Sequence, residues 1–127
     1  AQVNKAEAER TLLKPPATWQ AYDFFMRASD IYKAVMSSFN AADLYEARRL
    51  LEHSIALDPH YARACASLSN TYLAAWVYPL DEDFLAPAAL DRAHRLARKA
   101  VQLDPNLPIA HANLGAVLTQ YGQHDQS

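Results

Sequence analysis

Apolar and small residues recur along this chain at helical spacing, in blocks parted by short polar or proline-bearing breaks. Set against a 3.6-residue period, the blocks predict helices at about 2–13, 18–37, 41–57, 60–77, 87–103 and 108–121. Lys14-Pro15-Pro16-Ala17 breaks the chain between the first two blocks. Asn40, with Asp43 in the first turn, has the chemistry of a helix start. Pro59 suits a first helical turn, where its missing N–H has no partner to lose, and Asp58 can cap that turn. Asp104-Pro105 repeats the device, with Pro108 as a second possible start.

The blocks also repeat one another. The run Ala47 to Pro59 aligns with Ala93 to Pro105: Leu51 with Ala97, Ser54 with Ala100, and then Leu-Asp-Pro in both. Beyond each proline, Cys65-x-x-Leu68-Ser69-x-x-Tyr72 aligns with His111-x-x-Leu114-Gly115-x-x-Leu118. A degenerate copy lies upstream, with Phe24, Ala28 and Ile31 at the large, small and large positions and Arg27 where Leu is usual. This pattern resembles the tetratricopeptide repeat. The resemblance implies an all-α fold of antiparallel helix pairs stacked into a superhelix. Repeats would run at about 21–61, 62–107 and 108–127, the first two longer than the 34-residue period and the third truncated, without its second helix. Ser69, Gly115, Ala93 and Ala100 would let paired helices approach closely, while Leu68, Tyr72, Leu114 and Leu118 fill the space beside them. The last face would be apolar, because the helix that should cover it is missing. Residues 1–16 read as the tail helix of a preceding domain plus a linker, and 17–127 as the repeat domain. A start without Met and an end at Gln126-Ser127 inside the pattern suggest a fragment.

Composition narrows the chemistry. Two Gly in 127 residues disfavour sheets joined by tight turns. A net charge of −2 argues against nucleic-acid or membrane-surface binding by bulk attraction. Cys65 has no partner cysteine, and no signal peptide is evident, so a cytoplasmic setting is expected. Asp81-Glu82-Asp83 opens like a calcium loop, but Ala86 stands at its glycine position and Arg92 at its bidentate glutamate. His53, His60, His94, His111 and His124 form no metal motif, and His111 is expected to pack at a repeat core position. No catalytic, metal or cofactor site is expected, and Cys65 reads as inert packing. Arg92, Arg95, Arg98 and Lys99 crowd one helix. Asp91, four residues before Arg95, makes a solvated surface pair the plain reading and a phosphate or nucleic-acid stripe the other.

In tetratricopeptide proteins, first-helix residues between the packing positions line a concave groove. Carried onto this chain they are Arg63, Ala66, Ser67, Asn70, Ala74, Ile109, Ala112, Asn113, Ala116 and Gln120. The polar members Arg63, Ser67, Asn70, Asn113 and Gln120 can hold an extended peptide backbone, or can simply be solvated. Asn70 and Asn113 match two positions of repeats that clamp a carboxylate, but Ala66 stands where that clamp has Lys. The insertion from Trp76 to Pro87 has two readings. Its aromatics Trp76, Tyr78 and Phe84 can form a docking ridge, or the segment can cover the edge of its own helix pair.

A wider resemblance rests on Arg10, Lys14-Pro15-Pro16, Ala21-Tyr22-Asp23 and Arg27-Ala28, continued by Ala47 to Asp58-Pro59 and Tyr61-Ala62. It is similar to the C-terminal part of bacterial class III adenylate/guanylate cyclase-like proteins, and of some winged-helix transcriptional regulators. The cyclase's metal and purine residues belong to a domain outside this sequence, so no catalytic role carries over. The resemblance implies an interaction or regulatory module of a larger signalling protein. A protein or peptide would be its partner, or a second copy of the chain.

Overall fold

The computed structural model describes residues 16–126, and the helix expected at 2–13 lies outside them. It is all-α in the described residues, with five helices: α1 (Pro16–Ser38), α2 (Ala41–Leu57), α3 (Ala62–Val77), α4 (Pro87–Leu103) and α5 (Pro108–Gln126). Neighbours in sequence pack antiparallel. The tightest packing is α1 on α2 and α3 on α4, then α4 on α5 and α2 on α3. The odd-numbered helices also touch, α3 against α5 and, more lightly, α1 against α3. Among the described residues no helix packs on one more than two elements away.

The helix ends follow local chemistry. Pro16, Pro87 and Pro108 each open a helix, where a fixed φ helps and an absent N–H costs nothing. Asn40 caps α2 by accepting from the Ala42 N–H at 2.8 Å. Asp58 departs from expectation: it ends α2 rather than starting α3. A residue before proline is pushed towards extended geometry, so Asp58 leaves the helix while its N–H still reaches the Ser54 carbonyl. Its Oδ1 then accepts from the His60 N–H at 3.2 Å, and Tyr61 becomes the residue before α3. Asp104 repeats this geometry, accepting from the Asn106 N–H at 3.1 Å, and α5 starts at Pro108. The two Asp-Pro copies therefore make the same turn.

Small residues set the closeness of packing. Ala21, Ala28, Ala47, Ala64, Ala93, Ala97 and Ala100 are wholly buried, and Leu44, Leu51 and Leu90 fill the remaining volume. Two buried serine hydroxyls bridge the helix pairs. Ser54 Oγ donates to the Ala21 carbonyl at 2.7 Å, and Ser69 Oγ to the Ala93 carbonyl at 2.6 Å. Each satisfies a polar group that burial would otherwise penalise by about 1–3 kcal/mol. Cys65 is buried too, and burial pushes its thiol up.

The last helix departs from the packing expected of it. Leu118 is 49% exposed, and a Cβ placed on Gly115 would meet nothing within 4 Å. The small and large positions are present, but no described helix lies against them. His111 is likewise exposed rather than packed, its Nε2–H donating to the Pro105 carbonyl at 2.6 Å.

The segment 78–86 folds back over the α1–α3 end of the molecule. Leu80 packs with Val35, Leu44 and Ala75, and the Leu85 N–H donates to the Trp76 carbonyl at 3.1 Å. The Tyr45 hydroxyl donates to Asp81, and Asp83 lies 3.9 Å from Arg48. Two bulky residues take left-handed backbone geometry here, Phe39 at φ 54° and Leu85 at φ 56°. Phe39 sets its ring edge-on to Tyr78, with centroids 5.4 Å apart.

Candidate functional site

Three helices converge on one face because α3 touches both α1 and α5. Between them lies a depression of about 200 Å³, floored by Ala28 and Leu51 and rimmed by Tyr32, Lys33, Ser67, Asn70 and Ile109. Tyr32 and Lys33 come from α1, Ser67 and Asn70 from α3 at one-turn spacing, and Ile109 from the first turn of α5.

Hydrogen bonds fix the rim. The Tyr32 hydroxyl donates to the Asn70 carbonyl at 3.2 Å, tying α1 to α3. Asn113 Nδ2 donates to Asn70 Oδ1 at 2.7 Å, tying α5 to α3. Asn113 is only 4% exposed, and its own Oδ1 has no hydrogen-bond partner among the described residues. With its Oδ1 occupied, Asn70 has its amide N–H to offer to the depression, beside the Ser67 hydroxyl and the Lys33 ammonium.

Of the five polar residues expected in a groove, the structure brings Ser67, Asn70 and Asn113 together here. Arg63 lies elsewhere, with its guanidinium 5.7 Å from the centre of the Phe25 ring. Gln120 is also drawn away: its Oε1 accepts from the Trp76 indole N–H at 3.2 Å. That bond belongs to the core, because Trp76 is 2% exposed. Of the insertion aromatics, Tyr78 and Phe84 stand at the surface and Trp76 does not. Tyr32 and Lys33 escaped the sequence reading because the first repeat copy is degenerate.

Burial pushes the Tyr32 phenol up to about 12, aided by Tyr78 and opposed by Arg48. An unfolded tyrosine ionises near 10. The folded state therefore holds its proton more tightly, and this contribution to stability is whole below about pH 10 and disappears as the pH climbs towards 12. Tyr45, through its hydrogen bond to Asp81, and Tyr121, through burial and Asp91, act in the same direction. Tyr32→Phe should flatten part of the alkaline loss between pH 10 and 12, read as urea midpoints at half-unit steps. An unchanged slope would mean that Tyr32 is solvated.

The acidic loop is engaged within the protein. Asp81 takes the Tyr45 hydroxyl and the Asp83 N–H, and Asp83 faces Arg48. Among the described residues no group of three or more His, Cys, Asp and Glu side chains converges. Asp91 does not pair with Arg95 as its spacing suggests; it accepts from the Tyr121 hydroxyl, which α5 carries across the first turn of α4. No helix of the described residues is long and apolar enough to cross a membrane.

No protein-family model matches the chain. It is similar to a protein named "Putative adenylate cyclase 3" from Rhizobium meliloti (strain 1021), at 29% identity over 126 residues, which cover 99% of this chain and 20% of that protein. The chain thus spans about a fifth of the length of the relative it matches, and it is a distant homologue of that one part.

Proposed function

We propose that this chain is a tetratricopeptide-type interaction module of a larger signalling protein, an adenylate cyclase, and that it captures an extended peptide on the face shared by α1, α3 and α5. The module itself would be non-catalytic, with a regulatory role towards the domains beside it. Support for the helix-pair reading comes from the repeated Asp-Pro turn and from the two serine-to-carbonyl bridges. The cyclase reading is supported by the distant homology to part of such a protein.

The observation that carries the capture reading is the depression itself, which sets Ser67 and Asn70 of α3 beside Lys33 of α1 and Ile109 of α5. Asn113 lies behind this rim and holds Asn70 in place by its 2.7 Å hydrogen bond. Ser67 and Asn70 would hold a peptide group, with Ile109 giving one side chain an apolar seat.

The test is selection of peptides from a random displayed library against the chain, followed by fluorescence anisotropy of those retained. Asn70→Ala and Ser67→Tyr should each weaken binding at least tenfold while the far-ultraviolet circular dichroism is unchanged. Peptides that bind both variants as well as the parent would place capture elsewhere. The other reading, self-association, makes the light-scattering mass rise with concentration when no peptide is present.

A further inference from the structure

We infer that the cleft between α2 and α4, on another face of α3, binds a small polyanion carrying linked phosphate groups. The cleft is an open depression of about 340 Å³ lined by Arg92, Arg95 and Lys99 of α4, with Leu96 beside them, Tyr72 of α3 behind and Glu52 of α2 opposite. That volume falls in the range of small-molecule sites, roughly 300–1,000 Å³.

The three cations sit at i, i+3 and i+7, so they share one face of α4 and form a row about 10 Å long. A single phosphate cannot span such a row, whereas two or three linked phosphates can. The cations are also uncompensated. Among the described residues the ion pairs are Asp23 with Arg27, Glu46 with Arg49, and Arg48 with Asp83, and none involves this row. Asp91, the carboxylate placed to pair with Arg95, is occupied by Tyr121. Glu52 alone opposes three positive charges across the cleft. In a chain of net charge −2, three unneutralised cations on one helix face repel one another, and a bound polyanion removes that repulsion.

The site is partly organised before any ligand arrives. The Arg92 guanidinium lies 5.2 Å from the centre of the Tyr72 ring, whose position is fixed by burial and by Arg48 at 3.9 Å. An arginine held against an aromatic face loses less freedom when its fork meets a phosphate. Arg92, Arg95 and Lys99 are all exposed, so a polyanion can reach the whole row from solvent. The peptide-capture face does not enter this argument, and either site can fail without the other.

Titration calorimetry with inorganic tripolyphosphate tests the proposal, with pyrophosphate, orthophosphate and sulfate as comparisons. One tripolyphosphate should bind per chain, at least tenfold more tightly than orthophosphate. The double variant Arg95→Gln, Lys99→Gln should lose at least tenfold, and Glu52→Gln should gain several-fold. Arg98→Gln removes a charge from the same helix outside the lining and should change nothing. A nucleoside triphosphate that outbinds tripolyphosphate identifies a nucleotide as the source, and equal binding identifies the phosphate chain alone. The proposal is overturned by absence of binding at millimolar tripolyphosphate. An Arg98→Gln loss equal to that of the double variant would also overturn it, because the attraction would then be diffuse.

Discussion

Replacing Trp76 with alanine should destabilise the protein by about 3–5 kcal/mol, a large part of the 5–15 kcal/mol typical of a folded domain. Trp76 lies in the last turn of α3, is 2% exposed, and belongs to the main core cluster with Leu90, Ala93 and Val117. It also joins three parts of the molecule. Its indole N–H reaches Gln120 of α5, its carbonyl receives the Leu85 N–H, and its ring fills the space between them. The variant therefore opens a cavity and cuts the side-chain tether to Gln120, while the backbone carbonyl keeps its bond from Leu85. Trp76→Phe keeps most of the apolar volume and loses only the bond to Gln120, at a cost of about 1 kcal/mol. Urea unfolding followed at 222 nm gives both numbers. Equal losses for the two variants would mean that the hydrogen bond, and not the packing, holds α5 in place.

Arg48→Ala should cost roughly 3 kcal/mol, because a guanidinium with a 12% exposed side chain joins α2 to α3 and to the loop. Its Nε donates to Thr71 Oγ1 at 3.2 Å, its Nη2 to the Thr71 carbonyl at 3.3 Å, and it lies 3.9 Å from the centre of the Tyr72 ring. Removal loses these bonds and the stacking on Tyr72, although the Thr71 hydroxyl keeps its 2.7 Å bond to the Leu68 carbonyl. Arg48→Lys should not restore stability, since an ammonium cannot reproduce the planar fork or the stacking. The adjacent Arg49 pairs with Glu46 in solvent, so Arg49→Ala should leave the urea midpoint where it is. A midpoint shift for Arg48→Ala no larger than that for Arg49→Ala would show that the buried bonds contribute nothing.

These two residues mark the limit of what the sequence discloses. Helix positions are legible because their signals are local: Asn40 caps its own helix, Pro87 and Pro108 open theirs, and the Ala and Leu spacing marks the buried faces. Asp58 has the chemistry of a cap for α3 yet ends α2, because capping chemistry is similar on both sides of a proline turn. Arg48 and Arg49 look alike in sequence, and only the fold brings Thr71 within reach of one of them. Trp76 lies in a segment that breaks the repeat, so periodicity does not give the side on which it is buried. The site was legible in part. The resemblance to tetratricopeptide repeats nominates Asn70 and Asn113, but their hydrogen bond joins residues 43 apart and follows from how α3 and α5 cross. Gly115 and Leu118 obey the pattern without a helix to receive them, because a pattern specifies a face and not its occupant.

Contacts that never reach beyond the second neighbouring helix also bear on how fast the structure assembles. Each pair can close as a hairpin of adjacent segments, so little loop entropy is lost before packing begins to reward it. Chains dominated by such short-range contacts fold in microseconds to milliseconds. The α1–α2 and α3–α4 pairs, which pack most extensively, are then the natural units of the transition state. The second pair closes over the nine residues 78–86 against the two residues 39–40 of the first, and because that cost grows only as the logarithm of loop length, the difference is about 1 kcal/mol.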